Sequence, residues 1–293
     1  MGFFRYDISS ISPAKLCIIP MIVLIISLAS LGMTYISTGL PIQPGIDFQG
    51  GISVSIITGE TTEQLKAAFT DYPLISVDEG INQGRYIKFG PMDDNKVLTL
   101  TKYIESKYQD AKIDHIGSSF GKTLQDQAVY ALIMSFIGMA IVVFLIFRTF
   151  VPSAAVVISA FADMVMSAGA MNLLGIQLSL GTTAALLMLI GYSVDSDILL
   201  TSRVLKRKGK FDEKIEGAFR TGIIMTSTTF GAIFAMWVVS GIGGIQIIWE
   251  ISTVLLIGLV FDVMNTWLTN AGILKWYVTE GRGRLSTSQR GGA

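Results

Sequence analysis

The sequence predicts a polytopic α-helical membrane protein with six transmembrane helices and an external ferredoxin-like α+β domain between helices 1 and 2. Hydrophobic residues make up 51% of the 293 positions and charged residues only 15%, whereas soluble domains carry about 25% charged residues. The apolar segments are long enough to cross a hydrocarbon core of about 30 Å. A single polar stretch of mixed periodicity interrupts them, between the first and the second.

The first apolar segment follows a short basic N-terminus. Residues 1–15 are predicted to be cytoplasmic, and residues 16–37 are predicted to form helix 1. A cleaved signal peptide is the alternative, but the segment is long for one and lacks a small-x-small cleavage site. We therefore interpret it as a retained transmembrane helix.

Residues 38–127 are predicted to form the external domain. Strands are expected at 50–57, 74–79, 84–89 and 112–118, and helices at 61–70 and 94–108. The first helix begins at a Thr cap, Thr61, with Glu63 in its first turn. The order β-α-β-β-α-β is that of a ferredoxin-like unit. Its charged residues are scattered, as on a solvated surface, and suggest no catalytic site.

Residues 128–277 are predicted to contain helices 2–6, at 128–147, 152–174, 178–200, 221–239 and 247–277. The basic loop at 203–220 is expected to be cytoplasmic and suits an amphipathic helix lying on the membrane. The tail at 278–293 is rich in Gly, Ser and Arg and is predicted to be disordered in the cytoplasm.

Lys and Arg residues around the apolar segments concentrate on one side. That side collects Arg5, Lys15, Arg148, Arg203, Lys206, Arg207, Lys208, Lys210, Lys214, Arg220, Lys275, Arg282, Arg284 and Arg290. The opposite short loops, 172–177 and 240–246, carry none. The positive-inside rule therefore predicts a multi-pass protein of the cell membrane with both termini cytoplasmic.

Cofactor chemistry has little support in the sequence. Cys17 is the only cysteine and His115 the only histidine, so neither an internal disulfide nor a Cys/His metal site is possible. We expect no cofactor, no metal and no nucleic-acid partner.

Two carboxylates close the fourth apolar segment. Asp195 and Asp197 lie about 200° apart on a helix and so point to different faces. Asp195 continues a stripe of mostly small residues, and Asp197 continues a polar one. These stripes are Gly181, Ala184, Met188 and Gly191 for the first, and Ser193 and Thr201 for the second. Because a charge inside a bilayer is costly, we expect protein against both faces. A pair snorkelling near the helix end is the alternative.

Further carboxyl groups lie in the third and last segments. Asp163 is near the middle of its segment, with Ser159 and Ser167 at i±4. It is a candidate proton carrier; a structural Asp hydrogen-bonded across helices is the alternative. Asp262 is similar, with Gly258, Asn265 and Thr266 near its face.

Two other charged residues stand close to helix ends. Glu250 lies near an external end and is expected to snorkel. Arg220 stands at the cytoplasmic entrance of the fifth segment. It either pairs with Asp195 or Asp197 or serves as an ordinary positive-inside anchor.

Two motifs carry a family resemblance. The first is Gly45-Ile46-Asp47-Phe48-Gln49-Gly50-Gly51, after helix 1; the second is Gly191-Tyr192-Ser193-Val194-Asp195, in helix 4. With the arrangement of helices, they resemble the SecF family of the SecDF protein-export complex, in the resistance-nodulation-division superfamily. The resemblance implies a non-enzymatic auxiliary subunit with three partners: a SecD chain of six further helices, the Sec translocon channel and the translocating polypeptide. It also implies the use of the proton motive force.

The helix residues follow the family pattern only in part. Asp163 occupies the place of the third-helix Asp, and Arg220-Thr221 matches the Arg-Thr that opens helix 5. In helix 4, Asp195-Ser196-Asp197 stands where bacterial members have Asn-Asp-Ser or Asn-Asp-Thr, and Asp262 stands where they have Gly. These departures resemble the archaeal branch. They leave open whether the proton route keeps the bacterial geometry or is divided between Asp195 and Asp197.

Two other functions compete with this one. A proton-coupled exporter of small molecules or lipids from the same superfamily is the first, but the external domain is small for a self-contained pump. An intramembrane aspartyl protease is the second. Such proteases resemble a Tyr-Asp plus Gly-x-Gly-Asp pattern, which no apolar segment here contains.

The distribution of Lys and Arg predicts the topology of the chain. A cysteine at Asn82 should react with a membrane-impermeant reagent in intact cells, because the domain is external. A cysteine at Lys208 should react only after lysis. The reverse labelling pattern would contradict the predicted orientation.

Overall fold

The computed structural model describes residues 11–80, 82–108 and 110–281. Its elements are, in chain order, α1 (Pro13–Thr38), α2 (Ile46–Gln49), β1 (Gly51–Ile57), α3 (Thr62–Ala68), β2 (Leu74–Glu79), β3 (Gly84–Phe89), α4 (Asp94–Lys107), β4 (Lys112–Ile116), α5 (Ser118–Phe147), α6 (Phe150–Leu173), α7 (Leu180–Lys206), α8 (Phe211–Gly243), α9 (Gln246–Met264), a π-helical segment (Asn265–Asn270), α10 (Ala271–Trp276) and a last π-helical turn (Tyr277–Gly281). Among the described residues, six helices are long and apolar enough to span a membrane. They are α1, α5, α6, α7, α8 and a sixth that begins with α9 and continues to Thr279. The predicted fold class is confirmed.

The sheet domain consists of β1–β4 with α3 and α4. Its antiparallel strands lie in the order β2-β3-β1-β4, as in ferredoxin-like units. Alternate residues of β1, Ile52, Val54 and Ile56, point into a core that the two helices close with Leu65 and Leu100. The period-two pattern in the sequence therefore marks the buried face of the sheet.

The first helix of the sheet domain starts where its capping residues predict. Thr61 Oγ1 accepts a hydrogen bond from the Gln64 amide at 3.3 Å, and Gln64 Oε1 accepts one from the Thr61 amide at 2.8 Å. This reciprocal pair is a capping box, in which two otherwise unpaired amides are satisfied.

The membrane helices form a bundle centred on α6 and α7. The most apolar stretch of α6 is 67% buried and that of α7 is 56% buried, whereas that of α5 is only 6% buried. The core around them includes Met171, Leu186, Leu189 and Leu255. Polar residues on the buried faces of α6 and α7 are therefore held among other helices.

Two helices begin earlier than hydropathy predicts. α5 starts at Ser118 rather than at 128, inside the range assigned to the external domain. α8 starts at Phe211 and runs without a break to Gly243. The separate membrane-lying helix expected at 203–220 is therefore wrong, because Arg203 belongs to the last turn of α7 and only residues 207–210 connect the two spans.

The predicted tail differs at its start. Helical structure continues through the turn Tyr277–Gly281, beyond the predicted beginning of disorder at 278. Residues 282–293, and residues 1–10 of the predicted N-terminal segment, lie outside the described residues.

The sheet domain sits against the corner between α8 and α9. Tyr86 Oη donates to the Gly244 carbonyl at 2.7 Å, and Lys88 Nζ lies 3.3 Å from Glu250 Oε1. Gln246 Nε2 donates to both Asp78 and Glu250, at 3.1 and 3.0 Å. Glu250 therefore does not snorkel as expected; it anchors the sheet domain to the membrane bundle.

Candidate functional site: a buried carboxyl cluster

Three carboxyl groups lie inside the membrane bundle. Asp163 of α6, Asp197 of α7 and Asp262 of α9 are 0%, 0% and 1% exposed. We call these three side chains the carboxyl cluster. The small and hydroxyl-bearing residues around them allow the three helices to approach closely and supply hydrogen-bond donors.

Asp163 is held by two neutral donors from different helices. Ser193 Oγ of α7 donates to Asp163 Oδ2 at 2.5 Å, and Asn265 Nδ2 donates to Asp163 Oδ1 at 2.6 Å. The Asn265 amide is itself oriented by Thr269, whose hydroxyl donates to Asn265 Oδ1 at 2.9 Å. Asp163 thus links α6, α7 and the π-helical segment.

Asp262 and Asp197 have partners of the same kind. Ser196 Oγ and Thr266 Oγ1 each donate to Asp262, both at 3.2 Å. Asn270 Nδ2 donates to Asp197 Oδ1 at 2.8 Å, while Asp197 Oδ2 has no hydrogen-bond partner among the described residues.

The π-helical segment places two of the donors. Its i→i+5 hydrogen bonding widens the turn, so residues five apart lie one above the other. Asn265 and Asn270 are five apart, and they reach Asp163 and Asp197 respectively. An α-helix would turn these two side chains to different faces.

The cluster has no cationic partner in the part of the chain that the structure describes. Every donor found on its carboxyl oxygens is a neutral hydroxyl or amide. An ionised carboxylate that is buried without a countercharge costs several kcal/mol. The neutral donors therefore satisfy the carboxyl oxygens without compensating a negative charge on them.

Asp195 lies on the opposite face of α7 and is exposed, unlike Asp197. Ala184, Met188 and Gly191 of the predicted stripe are exposed with it, so among the described residues the expected protein cover exists only on the Asp197 side. Asp195 also lines an open groove of about 500 Å³ with Ile198, Leu199, Ser202, Arg203, Lys206, Arg207 and Met225.

Arg220 is exposed, and among the described residues it forms no ion pair with Asp195 or Asp197. Arg203 instead joins α7 to α8. Its guanidinium donates to the Gly217 carbonyl and to Thr221 Oγ1, both at 2.8 Å. Of the predicted pair Arg220-Thr221, only Thr221 takes part in this contact, and its arginine partner is Arg203 of α7.

The residues of the two family motifs occupy distinct positions. Gly45, Asp47 and Gly50 lie between α1 and β1, and Gly51 is the first residue of β1. Gly45 and Asp47 bind the residues at the start of α7. Gly191 is exposed, Tyr192 packs at the edge of the bundle core, and Ser193 binds Asp163. Ser196 and Asn270 were missed as site residues. The sequence did contain a signal for Asn270: it is a second side-chain amide in the same apolar segment, five residues after Asn265.

Comparison with known proteins identifies the family. Residues 96–280 match the family model described as protein export membrane protein SecD/SecF, C-terminal. The chain is 51% identical to the protein-export membrane protein SecF of Methanolacinia petrolearia, over 96% of this chain and 99% of that protein. It is 42% identical to the SecF of Haloferax volcanii, over 94% and 96%.

The chain belongs to the SecF family. It is a multi-pass membrane protein with a role in protein export, as the resemblance implied, and its relatives include archaeal proteins. The crystal structure of SecDF from Thermus thermophilus has a similar fold, with a TM-score of 0.72 at 19% identity. The match covers 95% of this SecF chain but only 39% of the SecDF chain.

Proposed function

We propose that this member of the SecF family is an auxiliary, non-enzymatic subunit of the Sec translocase that, with SecD, assists polypeptide export by using the proton motive force. The observation that carries the proposal is the carboxyl cluster, in which three buried acids meet only neutral donors. Both termini and the 207–210 loop are cytoplasmic in this proposal, and the sheet domain faces the translocon and the emerging polypeptide.

Asp163 is the proposed proton carrier. It lies in the most buried span and holds three elements together through Ser193 and Asn265. Protonation changes the acceptor strength of both carboxyl oxygens, so it changes the bonds that fix α7 relative to α6. Moving one charge through 100 mV releases about 2.3 kcal/mol, which biases a conformational equilibrium about fifty-fold when fully coupled.

Asp197 and Asp262 are the proposed neighbours in the relay. Asp197 keeps one oxygen without a partner among the described residues and can accept a proton there. Asp262 bonds to Ser196, which lies next to Asp197 and Asp195 in the chain. Arg220 is exposed in α8 and forms no ion pair with Asp195 or Asp197 among the described residues, so it would join the relay only after a movement of α7 or α8.

SecD is proposed to cover the exposed face of α7 that carries Ala184, Gly191 and Asp195. Three facts support this partner. The face consists mainly of small residues, which let helices approach closely. It ends in a carboxylate at membrane depth, which is costly against lipid. The SecDF chain of similar fold is more than twice as long as this chain, so most of it lies beyond the matched part.

Gly191→Leu tests the partner face. No atom lies within 4 Å of a Cβ placed at Gly191, so the substitution leaves the packing of this chain intact. It should block the approach of a partner helix and weaken SecD association at least about tenfold, or about 1.4 kcal/mol. The recovery of SecD with affinity-tagged SecF measures this.

Gly138→Leu on α5 is the matched control, because a Cβ there also has open space around it. Equal SecD recovery with both variants, at the parental level, would show that this face of α7 is not the SecD-binding surface.

Asp163→Asn tests the proton carrier. Asparagine keeps the shape and one acceptor but cannot exchange a proton. The variant should retain expression and SecD association and lose the part of export that an uncoupler abolishes in the parent. Asp71→Asn, at an exposed position of the sheet domain, is the control and should behave as the parent. An Asp163→Asn complex that still responds to the uncoupler would reduce Asp163 to a structural role.

A further inference from the structure

The first family motif, residues 45–51, follows α1 and makes contacts that are separate from the carboxyl cluster. The Gly45 amide donates to the Leu178 carbonyl at 2.8 Å, and the Leu178 amide donates to the Gln43 carbonyl at 2.7 Å. A parallel bridge between Pro44 and Leu178 accompanies these bonds. The chain that enters the sheet domain is therefore paired, strand-like, with the residues that lead into α7.

Asp47 adds a bond to α7 itself. Its Oδ2 accepts the amide of Leu180, the first residue of α7, at 2.8 Å. A carboxylate is favourable there, because the N-terminus of a helix carries a partial positive charge. The helix already has its own capping box, formed by Ser179 and Thr182. The bond from Asp47 is thus additional to what α7 needs in order to begin, and it comes from 133 residues away.

The two glycines that follow fix this segment against the sheet domain. Gly50 has φ +81°, and a Cβ on it would lie 2.7 Å from the Ser118 backbone at the start of α5. Gly51 has φ +148°, and a Cβ on it would lie 2.3 Å from the Phe89 carbonyl of β3. Only glycine allows these approaches. The segment that holds Asp47 is therefore packed tightly against β3 and α5 and continues directly into β1.

We propose that Asp47 is a positioning residue that joins the outer end of α7 to β1, so that a shift of α7 is passed to the sheet domain. The proposal rests on the proposed function, since the shift originates where α7 binds Asp163 through Ser193. Leu180 and Ser193 are thirteen residues apart on one continuous helix, or about 20 Å. Because α7 is unbroken over that length, a shift at the carboxyl cluster can be carried to its first turn.

Hydrogen–deuterium exchange of the full chain in lipid nanodiscs, together with any SecD that co-purifies, tests whether Asp47 couples α7 to β1. Four proteins are compared at alkaline pH, where ionisation of Asp163 is most complete: the parent, Asp163→Asn, Asp47→Ala and the double variant. Asp163→Asn should change exchange both in α7 and in residues 45–57. Asp47→Ala alone should increase exchange at the start of α7 roughly tenfold, as expected for the loss of a hydrogen bond to a charged acceptor.

The double variant, which combines Asp47→Ala with Asp163→Asn, distinguishes coupling through Asp47 from coupling by another route. On the Asp47→Ala background, Asp163→Asn should still change exchange in α7 but no longer in 45–57. Asp47→Asn should restore the response in 45–57, because its amide oxygen accepts the same Leu180 amide. Asp71→Ala, an exposed control, should leave the response intact.

Two results would contradict the proposed coupling through Asp47, and they distinguish its failure from a failure of the proton proposal. If the response in 45–57 persists without the Asp47 side chain, α7 and the sheet domain communicate by another route, and the proton proposal stands. If Asp163→Asn changes exchange nowhere in α7, the proton proposal fails. The proposed coupling through Asp47 then fails as well, because there is no shift of α7 to pass to the sheet domain.

Discussion

The bundle is built around three carboxyl groups that share an apolar interior without a cationic partner among the described residues. This constraint accounts for the polar residues around them. Each carboxyl must be satisfied by neutral donors, so serines on α7 and asparagines beyond α9 are directed at the cluster. The charge of an ionised carboxyl group can then be compensated by a bound proton, by another cation, by another chain or after a change of conformation.

α7 is the element on which the proposed roles converge. Its inner face carries Ser193 and Asp197 into the carboxyl cluster, and its outer face presents Gly191 and Asp195 as the proposed SecD contact. Its first residue is bound by Asp47, and Arg203 in its last turn is bound to α8. These contacts connect α7 to both the sheet domain and α8, the two elements that would feel the proposed shift.

Much of this fold could be predicted from the sequence, because periodicity and hydropathy report burial directly. The strands at 74–79 and 84–89 have the predicted bounds, and Thr61 caps α3 as expected. Helix starts were less predictable: hydropathy marks the apolar part of a helix, whereas α5 and α8 begin in polar sequence at Ser118 and Phe211. The site was anticipated at Asp163, but not at Asn270. Its alignment with Asn265 exists only in a π-helix, and neither hydropathy nor periodicity predicts one.

Infrared spectroscopy of the reconstituted SecF–SecD complex tests the central claim most directly, because protonated carboxyl groups have a carbonyl stretch distinct from that of carboxylates. At neutral pH the account predicts a protonated-carboxyl band that exchanges slowly in D₂O, as buried groups do, and that loses intensity in Asp163→Asn and again when Asp197 is also replaced by Asn. A spectrum at neutral pH with no such band, unchanged by both substitutions, would mean that the cluster is ionised and neutralised by an unrecognised cation. That result would contradict the account.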